Sequence, residues 1–249
     1  MADVMRHRVS IVNHKGGVGK TTSAVNIAAA LGELGRRVLV IDLDPQGSAS
    51  VMLGVAADGE KLLLALQRTQ ALPVTRVAGA GIDLVAAGPE LVKARQRFTG
   101  SLGAELLRRC LTQTAGDWEW IVIDCPPSLG ILTHNALLAS TEIIIPVETN
   151  FLAFAGINQM METIRSMQSS NRDLALRAVI PCRVHSRRKI HQEFLARLNS
   201  LFPGKVAPAV RENVALAEAP AHGQPVLTYA PGSNGASDYR QVTRWLAGN

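Results

Sequence analysis

The chain is poor in residues that staple or ligate. Its 249 residues include three cysteines, Cys110, Cys125 and Cys182, far apart and without a CxxC pair. That excludes a disulfide framework and offers no zinc or iron–sulfur spacing, and it fits a reducing cytoplasm. There is no apolar signal segment at the N-terminus and no uninterrupted apolar run near the ~20 residues needed to span a bilayer, so neither export nor membrane insertion is expected. Low-complexity tracts, internal repeats and an interdomain linker are also lacking, and residues 1–249 are read as one domain.

What is present is an ordinary globular balance, 47% hydrophobic and 18% charged, with a net charge of +6. The charge is unevenly placed. Residues 1–150 balance 14 Lys+Arg against 14 Asp+Glu, whereas residues 151–249 hold 12 against 6. A surplus confined to the C-terminal part suggests a surface facing a polyanion.

Short apolar runs alternate with helical patterns, the signature of a doubly wound α/β fold with a mainly parallel sheet. Strands are predicted at Arg8–Val12, Arg37–Asp42, Ile82–Ala86, Trp120–Asp124, Glu142–Val147 and Leu176–Pro181. A helix is predicted from Lys20 to Leu34, with Gly35 as its stop. Residues 55–80 show no clear period and are read as helical excursions. The stripe Ile157, Met160, Met161, Ile164 and Met167 has helical spacing and is read as core or dimer interface.

Three segments carry chemistry. In Val9–Thr22 a strand runs into Lys15-Gly16-Gly17-Val18-Gly19-Lys20-Thr21-Thr22 and then a helix, the context of a phosphate-binding loop. The glycines let backbone N–H groups turn inward around phosphate, Lys20 reaches the β- and γ-phosphates, and the Thr21 hydroxyl is placed to ligate Mg²⁺. ATP and Mg²⁺ are therefore the expected cofactors. The second segment, Val38-Leu-Val-Ile-Asp42-Leu-Asp44-Pro-Gln-Gly47, delivers two carboxylates to the same strand end, with Asp42 expected beside the Mg²⁺ or the loop. The third, Trp120-Ile-Val-Ile-Asp124-Cys-Pro-Pro, is a buried strand ending in a carboxylate that would hold Mg²⁺ through water.

His14 stands where the first glycine of the usual GxxxxGK[ST] loop would be, and Lys15 follows it. KGGVGKTT resembles the "deviant" Walker A loop of the ParA/MinD/nitrogenase-iron-protein class, and the resemblance implies an ATP-dependent homodimer in which Lys15 reaches the partner's nucleotide. Together with VLVIDLDPQGSAS, IVIDCPPSLGILTHNAL and VALAEAPAHGQPVLTYAPGSNGASDYR, it is similar to the ParA/Soj family of DNA-partitioning ATPases over nearly the whole chain. The family pattern implies that Asp44 orients or activates the attacking water and that Asn213 lies near the adenine. It further implies a slow ATPase stimulated by a ParB-like or other cargo adaptor, bound to nonspecific double-stranded DNA and hence nucleoid-associated. Arg187 falls on the family's DNA-contacting arginine, with Arg183, Arg188 and Lys189 adding charge, while Ala215 replaces another arginine often assigned to DNA. No room precedes the first strand for a helix-turn-helix domain, so operator reading is not expected. The cargo could be a plasmid, a chromosome origin or a protein assembly such as a carboxysome. The alternative is a MinD-like membrane-cycling ATPase, but the stripe Tyr239, Val242, Trp245 and Leu246, flanked only by Arg240 and Arg244, reads more simply as a docked terminal helix than as a membrane anchor.

Overall fold

The structure is a computed structural model that describes residues 7–77, 81–150, 153–185 and 187–248, apart from the side chains of 101 and 102. Its elements run β1 (His7–Ile11), α1 (Lys20–Glu33), β2 (Val38–Asp42), α2 (Ser48–Met52), α3 (Gly59–Arg68), β3 (Val74–Arg76), β4 (Ile82–Val85), α4 (Ala94–Arg97), α5 (Gly100–Ala104), α6 (Leu106–Gln113) and β5 (Trp120–Asp124). There follow α7 (Ile131–Ala139), β6 (Glu142–Glu148), α8 (Ala153–Met167), β7 (Ala175–Cys182), α9 (Lys189–Leu201), α10 (Val214–Glu218), α11 (Val226–Tyr229) and α12 (Asn234–Gly248).

The strands form one seven-stranded sheet in the order β3-β4-β2-β5-β1-β6-β7. All neighbours are parallel except β3 and β4. The sheet is covered on both sides, as its sequence demands: β2 and β5 are apolar at every position up to their terminal aspartate, and all ten residues are buried. Because side chains alternate across a strand, Leu39, Ile41, Ile121 and Ile123 enter one core with α3, α6, α7, α8 and α9. Val38, Val40, Trp120 and Val122 enter the other with α1, α11 and α12.

The expected strands are all present, with ends shifted by one residue at most positions. One expectation is corrected. Residues 55–80 contain α3 but also β3, an antiparallel edge strand. Three residues with the burial pattern intermediate-exposed-exposed carry no readable period, because an edge strand packs on one side only. The methionine stripe is largely core: Ile157, Met160 and Ile164 are buried, with Met161 and Met167 packed at the margin.

Tyr239, Val242 and Leu246 of α12 are at most 1% exposed, and the Tyr239 hydroxyl lies 3.1 Å from Ser23 Oγ on α1. Among the described residues no helix is long and apolar enough to cross a membrane. With α12 docked, Leu246→Ala is expected to destabilise the protein by roughly 2–5 kcal/mol, the range for a fully buried leucine. Urea unfolding measures this, and an unchanged midpoint would mean that the helix is not held in the core.

Candidate nucleotide-binding site

The site grows from the C-terminal edge of the three central strands. β2 and β5 lie side by side in a register that pairs Asp42 with Asp124, and β1, next to β5, releases the loop that leads into α1. Gly19, immediately before α1, has φ +96°, a conformation that side chains rarely adopt. A Cβ there would also sit 3.5 Å from Cys182 Sγ. Helix α1 has no side-chain N-cap and no acidic residue in its first turn. Its free N–H groups and the positive end of its dipole are thus left for an anion.

The two paired carboxylates are treated very differently. Asp42 is buried but satisfied: Oδ2 accepts from Ser50 N at 3.0 Å and Ser50 Oγ at 2.9 Å, and Oδ1 accepts from Asp44 N at 3.1 Å. Burial pushes its pKa up to about 6 against these stabilising bonds. Asp124 is buried too, and neither of its oxygens has a hydrogen-bond partner, although the Thr21 hydroxyl stands near enough to favour its charged form. Burial first, and then the Asp42 charge, raise its pKa well above the ordinary value of 3.8. A buried, unsatisfied carboxylate is costly. Its two free oxygens beside Thr21 are what a nucleotide-borne Mg²⁺ requires, so the residues fit that ion. Among the described residues no group of three or more His, Cys, Asp or Glu is placed to hold a metal ion by itself.

Lys20 is also buried, at 6% exposure, and donates to Lys15 O at 3.1 Å. Burial lowers its pKa, while Asp124 and Asp44 pull it back up. His14 Nε2 is buried without a partner, and burial together with the Lys20 charge favours the neutral ring. Burial pushes the Cys125 thiol well up and Cys182 to about 12, which makes both inert packing groups.

A cleft of ≈ 1190 Å³ is lined by residues 16–22, Asp44, Gln46, Pro127, Arg183, and residues 210–214, 216 and 217. Asn213 lies on this second wall, where its Oδ1 caps α10 by accepting from Ala215 N at 3.1 Å. Asp44 also lines the cleft, with Oδ1 accepting from Gln46 N at 3.0 Å. Lys15 Nζ is 2.6 Å from Glu148 Oε2 at the end of β6, and Arg183 Nη1 is 3.5 Å from Glu148 Oε1. Lys15, more than Arg183, holds the Glu148 carboxyl below its usual range.

The structure therefore brings together the phosphate loop, Asp42, Asp44, Asp124 and Asn213. It divides the basic cluster: Arg183 joins the rim of the cleft, while Arg187, Arg188 and Lys189 are exposed outside it at the start of α9. Sequence reading missed Glu148. The signal was available, since Glu148 ends an apolar strand at the same sheet edge as Asp42 and Asp124. It also missed Ser50, whose two bonds to Asp42 depend on the turn of Gly47 at φ +64°.

Fold and site define a P-loop NTPase fold of the ParA/MinD kind. The protein family described as "AAA domain" matches residues 6–176. The sporulation initiation inhibitor protein Soj of Bacillus subtilis is 36% identical over 248 residues, covering 97% of this chain and 98% of Soj. The chromosome-partitioning ATPase Soj of Thermus thermophilus is 38% identical over 240 residues, covering 94% and 93%. Among solved structures, cobyrinic acid a,c-diamide synthase of Mycobacterium smegmatis with a bound ATP analogue and magnesium is 32% identical. It superposes with a TM-score of 0.81 over 96% of this chain and 93% of that one. The chain belongs to the ParA/Soj family of chromosome-partitioning ATPases.

The electrostatics give a pH test for the nucleotide-free, Mg²⁺-free protein. The folded pKa of Asp124 is raised above its unfolded value of 3.8, so the folded form binds the proton more tightly and its contribution to stability is lost as pH rises above about 4. Asp124→Asn removes that loss. Relative to the parent, the variant is expected to gain stability with rising pH, by up to about 1.4 kcal/mol per unit. Urea unfolding in EDTA from pH 4 to 7.5 checks this, and a constant difference across the range would contradict it.

Proposed function

We propose that this protein is a positioning ATPase that closes into a homodimer on Mg-ATP, holds double-stranded DNA without sequence preference, and is released when a cargo-bound adaptor stimulates hydrolysis. The observation that carries the reading is the unsatisfied Asp124 carboxylate beside Thr21, Lys20 and an uncapped helix N-terminus. These groups are complementary to a magnesium-bearing polyphosphate and to little else. The relatives' names, and the ATP analogue and magnesium in one solved relative, support it.

Each residue has a role in this scheme. The backbone of 16–21 and Lys20 cradle and neutralise the phosphates. Thr21 and Asp124 hold the Mg²⁺, which when bound neutralises charge that develops on the phosphate oxygens. Asp42 supports that edge chiefly as a structural carboxylate, because Ser50 and Asp44 already occupy its oxygens. Asp44 orients the attacking water. Asn213 contributes to the base wall. Lys15, which pairs with Glu148 at 2.6 Å, exchanges that carboxylate for the partner's nucleotide.

Arg187, Arg188 and Lys189 supply the DNA surface, and dimerisation doubles it. The cargo is a plasmid, a chromosome origin or a protein assembly, and the working place is the nucleoid in the cytoplasm. The buried face of α12 favours DNA over a membrane as the substrate surface. If two protomers neutralise on the order of 4–8 phosphates, log K should fall with log salt at a slope of about −4 to −7. Unrelated duplexes should bind alike, because phosphate contacts do not read bases. Arg187→Glu is expected to weaken binding at least tenfold while leaving ATP affinity intact. Electrophoretic shifts with ATP over several sequences and salt concentrations check this, and salt-insensitive binding or an unaffected Arg187→Glu would contradict it.

A further inference from the structure

The turn between β7 and α9 is held at one end by Thr149, whose neighbour Glu148 pairs with Lys15 of the phosphate loop, and at the other by Glu212, which lines the cleft. On the phosphate side, Thr149 follows Glu148 directly and is 6% exposed. Its hydroxyl lies 2.9 Å from His191 Nδ1 and 3.5 Å from Arg183 O. The same Nδ1 accepts the backbone N–H of His185 at 3.0 Å. A ring nitrogen that accepts an amide N–H carries no proton, so His191 is the neutral Nε2–H tautomer. Burial, together with the charges of His185 and Arg188, favours that neutral form against the pull of Glu212.

On the base side, His185 Nε2 pairs with Glu212, the residue before Asn213. The backbones are also laced together, Val184 N to Val210 O at 3.1 Å and Glu212 N to Val184 O at 3.4 Å. The turn is closed by Arg188 N to His185 O at 3.0 Å, and His191 N returns to Arg188 O at 3.0 Å. Arg183, which opens the segment, has φ +55°. That left-handed conformation is disfavoured for an arginine, and such strain persists only where the surroundings fix it.

We propose that Thr149 and His191 are positioning residues that set Arg187, Arg188 and Lys189 according to what fills the nucleotide cleft, which makes polyanion affinity depend on ATP. This rests on the DNA-binding reading above. A ligand shifts a conformation only through contacts that differ between its states, and the Lys15–Glu148 ion pair is such a contact. When Lys15 engages phosphate, Glu148 loses its partner at 2.6 Å and is left with the Asn150 Nδ2 bond at 3.1 Å and the weaker 3.5 Å contact with Arg183. Thr149, one residue on, carries the adjustment to the His191 ring, and His191 carries it to the backbone of the basic turn. The Glu212–His185 pair anchors the far side, so the turn is referenced to both ends of the nucleotide.

The test compares His191→Ala, Thr149→Val and His191→Asn, whose amide oxygen can take the place of Nδ1. Two readouts are made with Mg²⁺ and either a non-hydrolysable ATP analogue or ADP: the ratio of duplex-DNA affinities, and amide hydrogen exchange of the peptide carrying Arg187 to Lys189. His191→Ala and Thr149→Val should bind both nucleotides as the parent does, lose at least tenfold of the affinity ratio, and lose the exchange difference. His191→Asn should restore a substantial part of both. Should His191→Ala fail to fold, Thr149→Val, which removes one hydroxyl, decides alone. A parent that shows the exchange difference but ignores DNA, with the difference erased in Thr149→Val, would refute the DNA reading and uphold the positioning role. An exchange difference that is absent in the parent, or unchanged in both folded variants, would overturn the positioning role.

Discussion

A carboxylate buried at the end of a central strand with no hydrogen-bond partner is the constraint on which this structure turns. Asp124 reaches that position because β5 is apolar along its whole length and buried on both faces, so its last residue is carried to the sheet edge beneath the phosphate loop. Asp42, its register partner, shows what a satisfied carboxylate looks like in the same place, with three donors at 2.9–3.1 Å. The contrast separates two residues of the same type: Asp42 is bonded into the turn leading to α2, whereas the oxygens of Asp124 are left without a protein partner. Lys20, buried nearby, and the uncapped start of α1 supply the compensating positive potential.

The rim of the cleft follows from the same edge geometry. β6 ends in Glu148, which draws in Lys15 and Arg183 from two different loops. An exposed ion pair of this kind contributes little to stability, about 0–1 kcal/mol. In the proposed scheme its importance is that so weak a pair lets Lys15 exchange Glu148 for phosphate at little cost. Thr149, just beyond the end of β6, and His191 extend the contacts to the basic start of α9, which is the physical path the proposed coupling uses.

Much of this was legible in the sequence, because the informative features are local. The strand–glycine loop–helix order, the two apolar strands ending in aspartate and the apolar face of α12 each depend on a few contiguous residues, and the structure places them where the patterns indicate. What was not legible depends on chain reversal. β3 has three residues and one covered face, too little for a period. Glu148 and Arg183 are 35 positions apart and meet only because β6 and β7 are parallel neighbours. The role of Ser50 toward Asp42 depends on a turn whose geometry no residue pattern states. Arg183 grouped with Arg187 and Arg188 in sequence, but the left-handed backbone at residue 183 turns it toward the cleft.

The most direct measurement is the stabilisation of the folded protein by ATP with and without Mg²⁺, in the parent and in Asp124→Asn. A ligand present at 100 times its Kd stabilises the native state by about 2.7 kcal/mol. The expected result is an increment of that order for the parent with ATP and Mg²⁺, collapsing in EDTA and in Asp124→Asn even with Mg²⁺ present. Equal stabilisation in all three conditions would show that Asp124 does not serve a nucleotide-bound cation and would contradict the account at its centre.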